Sequence, residues 1–350
     1  MAAYAPPVRR LVAFLAAAAM VATAVYVRSR VDRRQEEGTL RLVCSLELAE
    51  PCEALRQADS RVVLTTEEAG TTADRLIAAD NPGLDAWLVP EPWPDIVDGR
   101  RRTRSLPSLF PVDRQPIARS PLRLVVWEDR DKALIASSRC PSQANWKCLG
   151  EAAGAGPWTA SGGRPEWGPI KLGLADPATD GVGLLVLGHA VSSWFGRTDL
   201  ALIDLETSDD FDRWFSALGQ AVRPSPISPL GRMIATNRAE YDATGTIEAE
   251  AGPLLAKSPR AAEVHLLYPS PMATADVTLA TVGGTPEASA LRRLANGNVL
   301  LDGLVDAGWR VRGAEAVQGV ASDPLPPTSG LPPAGLLDAL RDRWRQVARR

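Results

Sequence analysis

Short apolar runs alternate with stretches of helical period along the first part of the chain. Thr39–Val43, Arg61–Thr65 and Leu84–Val89 read as compact strands. Glu50–Ala58 and Thr71–Ala79 read as the helices between them, and Pro92–Val97 opens another helical turn. This alternation predicts a parallel sheet of the α/β class. Ile117–Trp127 is a longer strand, β-branched towards its end, followed by helical stretches at Asp131–Ser137 and Trp146–Ala153 and a Gly/Pro/Trp-rich loop over Gly154–Gly168. Over Ser208–Val222, Phe211, Trp214, Phe215 and Leu218 recur at helical spacing, which predicts a core-facing amphipathic helix capped by Ser208 or Asp209. Gly231–Glu240 is helical, and Val264–Tyr268 and Val277–Val282 are strands. Pro286–Asp306 is a helical region interrupted near Asn296-Gly297-Asn298. Gly308–Val311 ends the compact part, and a Pro-rich linker, Pro324–Pro333, leads to a basic helix, Gly335–Arg349.

The central stretch, Ile170–Trp194, concentrates the local signals. A short strand (Ile170–Ala175) meets a turn at Asp176-Pro177 and then an apolar run long enough for a helix. Thr179 or Asp180 is a natural N-cap, since a side-chain oxygen there accepts from the first free amides. Gly181 and Gly183 strip side chains from the first turn. An open N-terminus of this kind favours an anion or a ligand carbonyl. The other reading is a strand–helix crossover with small residues for close packing.

At the N-terminus, Arg9-Arg10 precede the charge-free run Leu11–Val27, and Arg28, Arg30, Arg33 and Arg34 follow it. This run is expected to be a transmembrane helix; a signal segment cleaved near Ala22-Thr23-Ala24 is the alternative. The trailing arginines would keep the body inside by the positive-inside count. Four cysteines behind an export segment argue for the outside, as disulfides. They allow three connectivities, of which Cys44–Cys52 and Cys140–Cys148 close the shortest loops. The body is therefore expected on the extracytoplasmic face of the cell membrane, tethered by a single pass.

A length of 350 residues is enough for two lobes, and a net charge of −3 gives no reason to expect nucleic acid binding. The two histidines, His189 and His265, lie in apolar runs, no zinc spacing is present, and no G-x-S-x-G, P-loop or H-E-x-x-H motif occurs. No catalytic activity, metal or cofactor is expected. The charge run Arg100–Arg102 with Arg104 reads as a solvated loop, and Asp209-Asp210 and Glu67-Glu68 as caps and surface charge.

Several segments, in order, resemble type II periplasmic binding proteins, the substrate-binding components of bacterial ABC importers, and the molybdate/sulfate subset most. Ile117–Trp127 resembles the strand that carries SP or N just before the crossover between lobes. Lys171–Gly183 resembles the family's G-x-x-DP-x-x-S/T-x-x-G loop and helix. Leu267-Tyr268-Pro269-Ser270-Pro271 with Asp276-Val277 resembles the strand returning to the first lobe, and Gly308-Trp309-Arg310 the terminal GFRP without its proline. The resemblance spans about residues 39–312. The tail from Gly330 is similar to the segment that joins such a binding domain to a von Willebrand factor A domain in some actinobacterial proteins. That domain is expected to be absent here, leaving a tethered binding module; the other reading of the tail is an amphipathic helix docked on the lobes.

The resemblance implies an α/β, two-lobed, hinged fold behind the N-terminal helix. Residues 1–38 would be anchor and linker, 39–125 the first part of lobe 1, 126–262 lobe 2, 263–312 the return to lobe 1, and 313–350 the Pro-rich linker and basic helix. It implies an interlobe cleft with Ser45, Thr66, Ser120, Thr179, Asp180, Gly181 and Tyr268 around a small polar or oxyanion ligand, and an ABC permease or another envelope protein as partner. Glu67-Glu68, if they face the cleft, would repel an anion. The alternative function is a non-transport envelope interaction module that keeps the fold. Convergent donors from both lobes would favour capture; a cleft plugged by Trp or Arg, or lined with carboxylates, would favour the interaction role.

Overall fold

The computed structural model describes Met20 and residues 38–223, 225, 228–325 and 330–347. Apart from Met20 and Gly38, the expected membrane helix and its linker lie outside the described residues, and among the described residues no helix is long and apolar enough to cross a membrane. The strands are β1 (Leu40–Ser45), β2 (Val62–Glu67), β3 (Ala86–Pro90), β4 (Ala118–Trp127), β5 (Leu172–Gly173), β6 (Val222–Arg223), β7 (Ala243–Ile247), β8 (Val264–Leu267) and β9 (Thr274–Thr281). The helices are α1 (Ala49–Ala58), α2 (Ala69–Ala78), α3 (Trp93–Thr103), α4 (Glu128–Ala136), α5 (Trp146–Ala155), α6 (Gly181–Phe195), α7 (Leu202–Glu206), α8 (Asp209–Ala221), α9 (Pro229–Thr236), α10 (Glu248–Ala256), α11 (Pro286–Ala295), α12 (Asn298–Asp306) and α13 (Ala334–Val347).

The strands run in the order β2-β1-β3-β9-β4-β7-β5-β6, with β8 on the other side of β4. β1 pairs in parallel with β2 and β3, and β9 closes this half antiparallel to β3; we call it lobe 1. In the other half, lobe 2, β5 is parallel to β6 and β7, and β4 is antiparallel to β7 and β8. β4 belongs to both. Ala118–Pro121 pairs with β9, and Leu122–Val126 pairs with β7. The change falls at Pro121, which has no N–H to donate to a ladder. The return crossing, through Tyr268–Ala273, carries a cis Ser270–Pro271 bond.

α6 is apolar nearly all round and buried along most of its length, as a helix of that composition must be. β7 was not legible as a strand. Its segment, Ala-Thr-Gly-Thr-Ile, is small because α6 and α5 press on it: a Cβ on Gly245 would lie 2.3 Å from Val186 Cγ1 and 2.6 Å from Trp146 Cζ2. The aromatic stripe of α8 is buried as its spacing predicts, and Ser208 caps the helix by accepting from the Phe211 amide at 3.1 Å. The four cysteines form the two local pairs, Cys44–Cys52 and Cys140–Cys148, with Cα atoms 6.6 and 5.5 Å apart.

Two expectations are corrected. Arg100–Arg102 is the last turn of α3 rather than a solvated loop. Arg101 is buried because its guanidinium donates to Leu76 O and Ala79 O at 2.7 Å and its Nε to Pro107 O at 2.8 Å, satisfying carbonyls at the end of α2. The Gly154–Gly168 loop contains two 3-10 turns, Trp158–Ser161 and Pro165–Trp167, and Trp158 is buried.

Candidate functional site

The strand ends of the two lobes face each other across a seam. From lobe 1 come the turn after β1 (Leu46–Leu48), the start of α2 and the start of α3; from lobe 2 comes the 174–181 loop leading into α6. The lobes are in direct contact there. The Gly70 amide donates to Thr179 O at 2.8 Å. Trp93, buried, donates from Nε1 to Gly181 O at 3.0 Å. Glycine at position 70 is what allows this approach, because a Cβ there would stand 2.4 Å from Ala178 O and 2.7 Å from Thr179 Cα.

Two amides at the start of α6 are already used. Asp180 Oδ1 accepts from Val182 N at 3.0 Å and Gly183 N at 2.6 Å, so the chain's own carboxylate fills the position an anion would take. Glu47 lies on the other side of the seam. Its Oε1 is sealed from solvent with no hydrogen-bond partner, and it presses on Gly181, where a Cβ would be 2.1 Å away. Burial, with Asp180 nearby, pushes the Glu47 carboxyl up to about 8; burial, with Glu250 and Glu68 nearby, pushes Asp180 up to about 6. Glu68 and Asp180 place negative charge at the seam, which opposes an oxyanion, while Glu47 stands there protonated.

α13 crosses the seam. Its Leu336, Leu337, Leu340 and Trp344 are buried, and Leu337 sits where a side chain on Gly188 of α6 would be. Arg341, 1% exposed, lies on the same stripe. It donates from Nε to Ala178 O of lobe 2 at 2.7 Å and from Nη2 to Gly70 O of lobe 1 at 2.9 Å. It also pairs with Asp74 of lobe 1 at 2.8 and 3.0 Å, and its guanidinium stands 5.0 Å from the centre of the Trp93 ring. Around it, Asp338 and Asp342 pair with Arg100, and Arg345 with Asp74, on lobe 1; Arg343 pairs with Asp212 and donates to Leu205 O on lobe 2.

Of the residues singled out in the sequence, Thr179, Asp180 and Gly181 stand together at this seam. Ser45 is buried beside it, and its hydroxyl donates to Leu88 O at 3.4 Å. Thr66 is exposed on the outer strand β2. Ser120 is buried in β4, and its Oγ accepts from the Ala249 amide at the start of α10. Tyr268 lies near the return crossing, where its hydroxyl donates to Glu248 at 3.0 Å and Arg123 stacks 3.4 Å over its ring. Arg310 also pairs with Glu248, so this second cluster is a filled ion network. Glu47, Trp93 and Arg341 were not singled out. For Arg341 a signal existed: it lies four residues after Leu337, inside an apolar stripe.

Other features stand away from the seam. A groove of about 870 Å³ on lobe 2, between α5 and α8, is lined mostly by small residues such as Gly154, Gly156 and Ala217. His265 Nδ1 lies 2.7 Å from Asp131, and His189 Nε2 lies 2.8 Å from Pro271 O at the return crossing. Among the described residues no group of three His, Cys, Asp or Glu could hold a metal ion.

No family model matches the sequence, and no curated protein matches it. Solved structures do. The chain is similar to a periplasmic thiamin binding protein (TM-score 0.54, 12% identity, covering 89% of this chain and 96% of that one). It is similar to iron-bound HitA from Pseudomonas aeruginosa (0.54, 12%, 89% and 98%). It is also similar to the sulfate-binding protein SubI from Mycobacterium tuberculosis H37Rv (0.50, 16%, 84% and 94%). The chain has a mixed α/β fold that resembles the type II periplasmic solute-binding proteins.

Proposed function

We propose that this protein is a non-transport interaction module of the cell envelope, built on the binding-protein fold and displayed on the extracytoplasmic face of the membrane by its N-terminal segment. The observation that carries this is the filled seam: Trp93, Glu47, Asp180 and Arg341 occupy the space between the lobes, and backbone joins backbone from Gly70 to Thr179. A solute receptor needs a cleft with vacant donors. Here the hydroxyls of Ser45 and Tyr268 and the amides of Val182 and Gly183 are spent on the protein's own groups. The two disulfides support an oxidising location.

Solute capture is the second reading, favoured by the extent of the fold likeness, which covers 84% or more of the chain in each of the three comparisons above. In that reading Ser45, Thr66, Ser120, Thr179, Asp180, Gly181 and Tyr268 contact a small polar or anionic ligand delivered to an ABC permease. A thermal-shift screen of anions, sugars and amino acids on the full chain separates the two. The module reading expects no change in Tm with any of them, together with recovery of an envelope protein by cross-linking in intact cells. A saturable rise of roughly 3 °C or more with one solute would overturn it.

A further inference from the structure

We propose that the seam is a guanidinium receptor whose resident ligand is the chain's own Arg341, so that docking of the C-terminal helix, and not a captured solute, holds the lobes closed. This rests on the filled-seam reading above and specifies its chemistry.

Arg341 does what an interlobe ligand has to do: it touches both lobes at once. Ala178 O belongs to lobe 2, while Gly70 O and Asp74 belong to lobe 1. The acceptors suit a planar fork. A guanidinium carries five N–H donors, and four hydrogen bonds are made here: Nε to one carbonyl, Nη1 to one carboxylate oxygen, and Nη2 to the second carbonyl and the other carboxylate oxygen. Trp93 supplies an aromatic ring beside the cation. An ammonium, with three donors on one atom, cannot span this set. The two carbonyls flank the Gly70–Thr179 hydrogen bond, so the cation and the backbone contact stabilise the same closed arrangement. A cation is also the charge this seam favours, given Asp74 against the guanidinium and Asp180 at the start of α6.

The receptor exists in this form only while the lobes are together, because its carbonyls come from different lobes. Closure and guanidinium binding are therefore linked, and each favours the other. The rest of α13 raises the effective concentration of Arg341 at the site, as a tether does for any intramolecular ligand.

The test is chemical rescue in the full detergent-solubilised chain. In Arg341→Ala, hydrogen exchange at the Gly70 amide should accelerate at least roughly tenfold. Millimolar methylguanidinium should restore protection saturably, while methylammonium at equal concentration should not. Wild type should respond to neither. Asp74→Asn, at a half-exposed acceptor, keeps the guanidinium in place and should give a smaller acceleration; it serves if Arg341→Ala does not fold. Unchanged Gly70 protection in Arg341→Ala, or in Asp74→Asn where only that variant folds, overturns the proposal, as does equal rescue by methylammonium. Those failures leave the module reading intact, since the seam would still be closed. A solute that stabilises wild type would instead overturn the module reading itself.

Discussion

Asp242 is fully buried at the head of β7, and its two oxygens are shared among three elements. Oδ1 accepts from Arg130 Nε at 2.9 Å, and Oδ2 accepts from Trp158 Nε1 at 3.0 Å and the Lys171 amide at 2.9 Å. Removing one partner of a buried pair strands the other charge, which costs far more than an exposed bridge. Asp242→Ala should lower stability by about 3–5 kcal/mol in denaturant titration, whereas Asp210→Ala, at the exposed pair with Arg213, should change it by less than about 0.5 kcal/mol. Glu47 is the opposite case, a buried carboxyl without a partner for Oε1. Its folded-state value, about 8, lies above the ordinary 4.5. The folded state therefore holds a proton that the unfolded state has released. The stability linked to this group is fully present below pH 4.5 and is lost as pH rises through about 8. Glu47→Gln removes that loss. Relative to wild type, the variant should gain up to about 1.4 kcal/mol per pH unit across the window, read as a flatter plot of Tm against pH.

Among the elements, α13 converts a surface strap into part of the core. Its seat on α6 is Gly188, where a Cβ would come within 2.3 Å of Leu337 Cδ2. Gly188→Val should overpack this contact and cost about 1–3 kcal/mol, with faster hydrogen exchange over 334–347; unchanged protection of α13 would contradict the packing described. Much of the element list was readable from period alone: β1 to β3 with their intervening helices, the long β4, the α8 stripe and the break between α11 and α12 all carry local signals. β7 and α10 carried none. The first is held as a strand by its neighbours on the sheet and by the helices above it, and the second, Glu-Ala-Glu-Ala-Gly-Pro-Leu-Leu-Ala, has a proline inside and a weak apolar face. The seam was half legible. The 176–181 loop declares itself through Asp-Pro, the cap and the glycines, because those are short-range effects. Glu47, Trp93 and Arg341 are brought together from three distant segments, and no local spacing encodes that meeting.

For the molecule as a whole, the decisive feature is the strand that serves both lobes. Every strand of lobe 2, from Leu122 of β4 to Leu267 of β8, is contiguous in the chain. Lobe 1 is not: β3 is made early, but its antiparallel partner β9 follows the whole of lobe 2. During synthesis or export the chain therefore carries β3, buried at every position in the finished fold, with one edge unpaired. Such edges invite pairing with other chains, and contacts this far apart form late. In pulse-labelled refolding, amides of β7 and β8 should gain protection before those of β3 and β9; simultaneous protection would mean that β4 recruits both halves at once. The vulnerable interval in this protein's life thus falls between two translation events, the emergence of Pro90 and that of Thr281, and it is there that a holding chaperone would have most to protect.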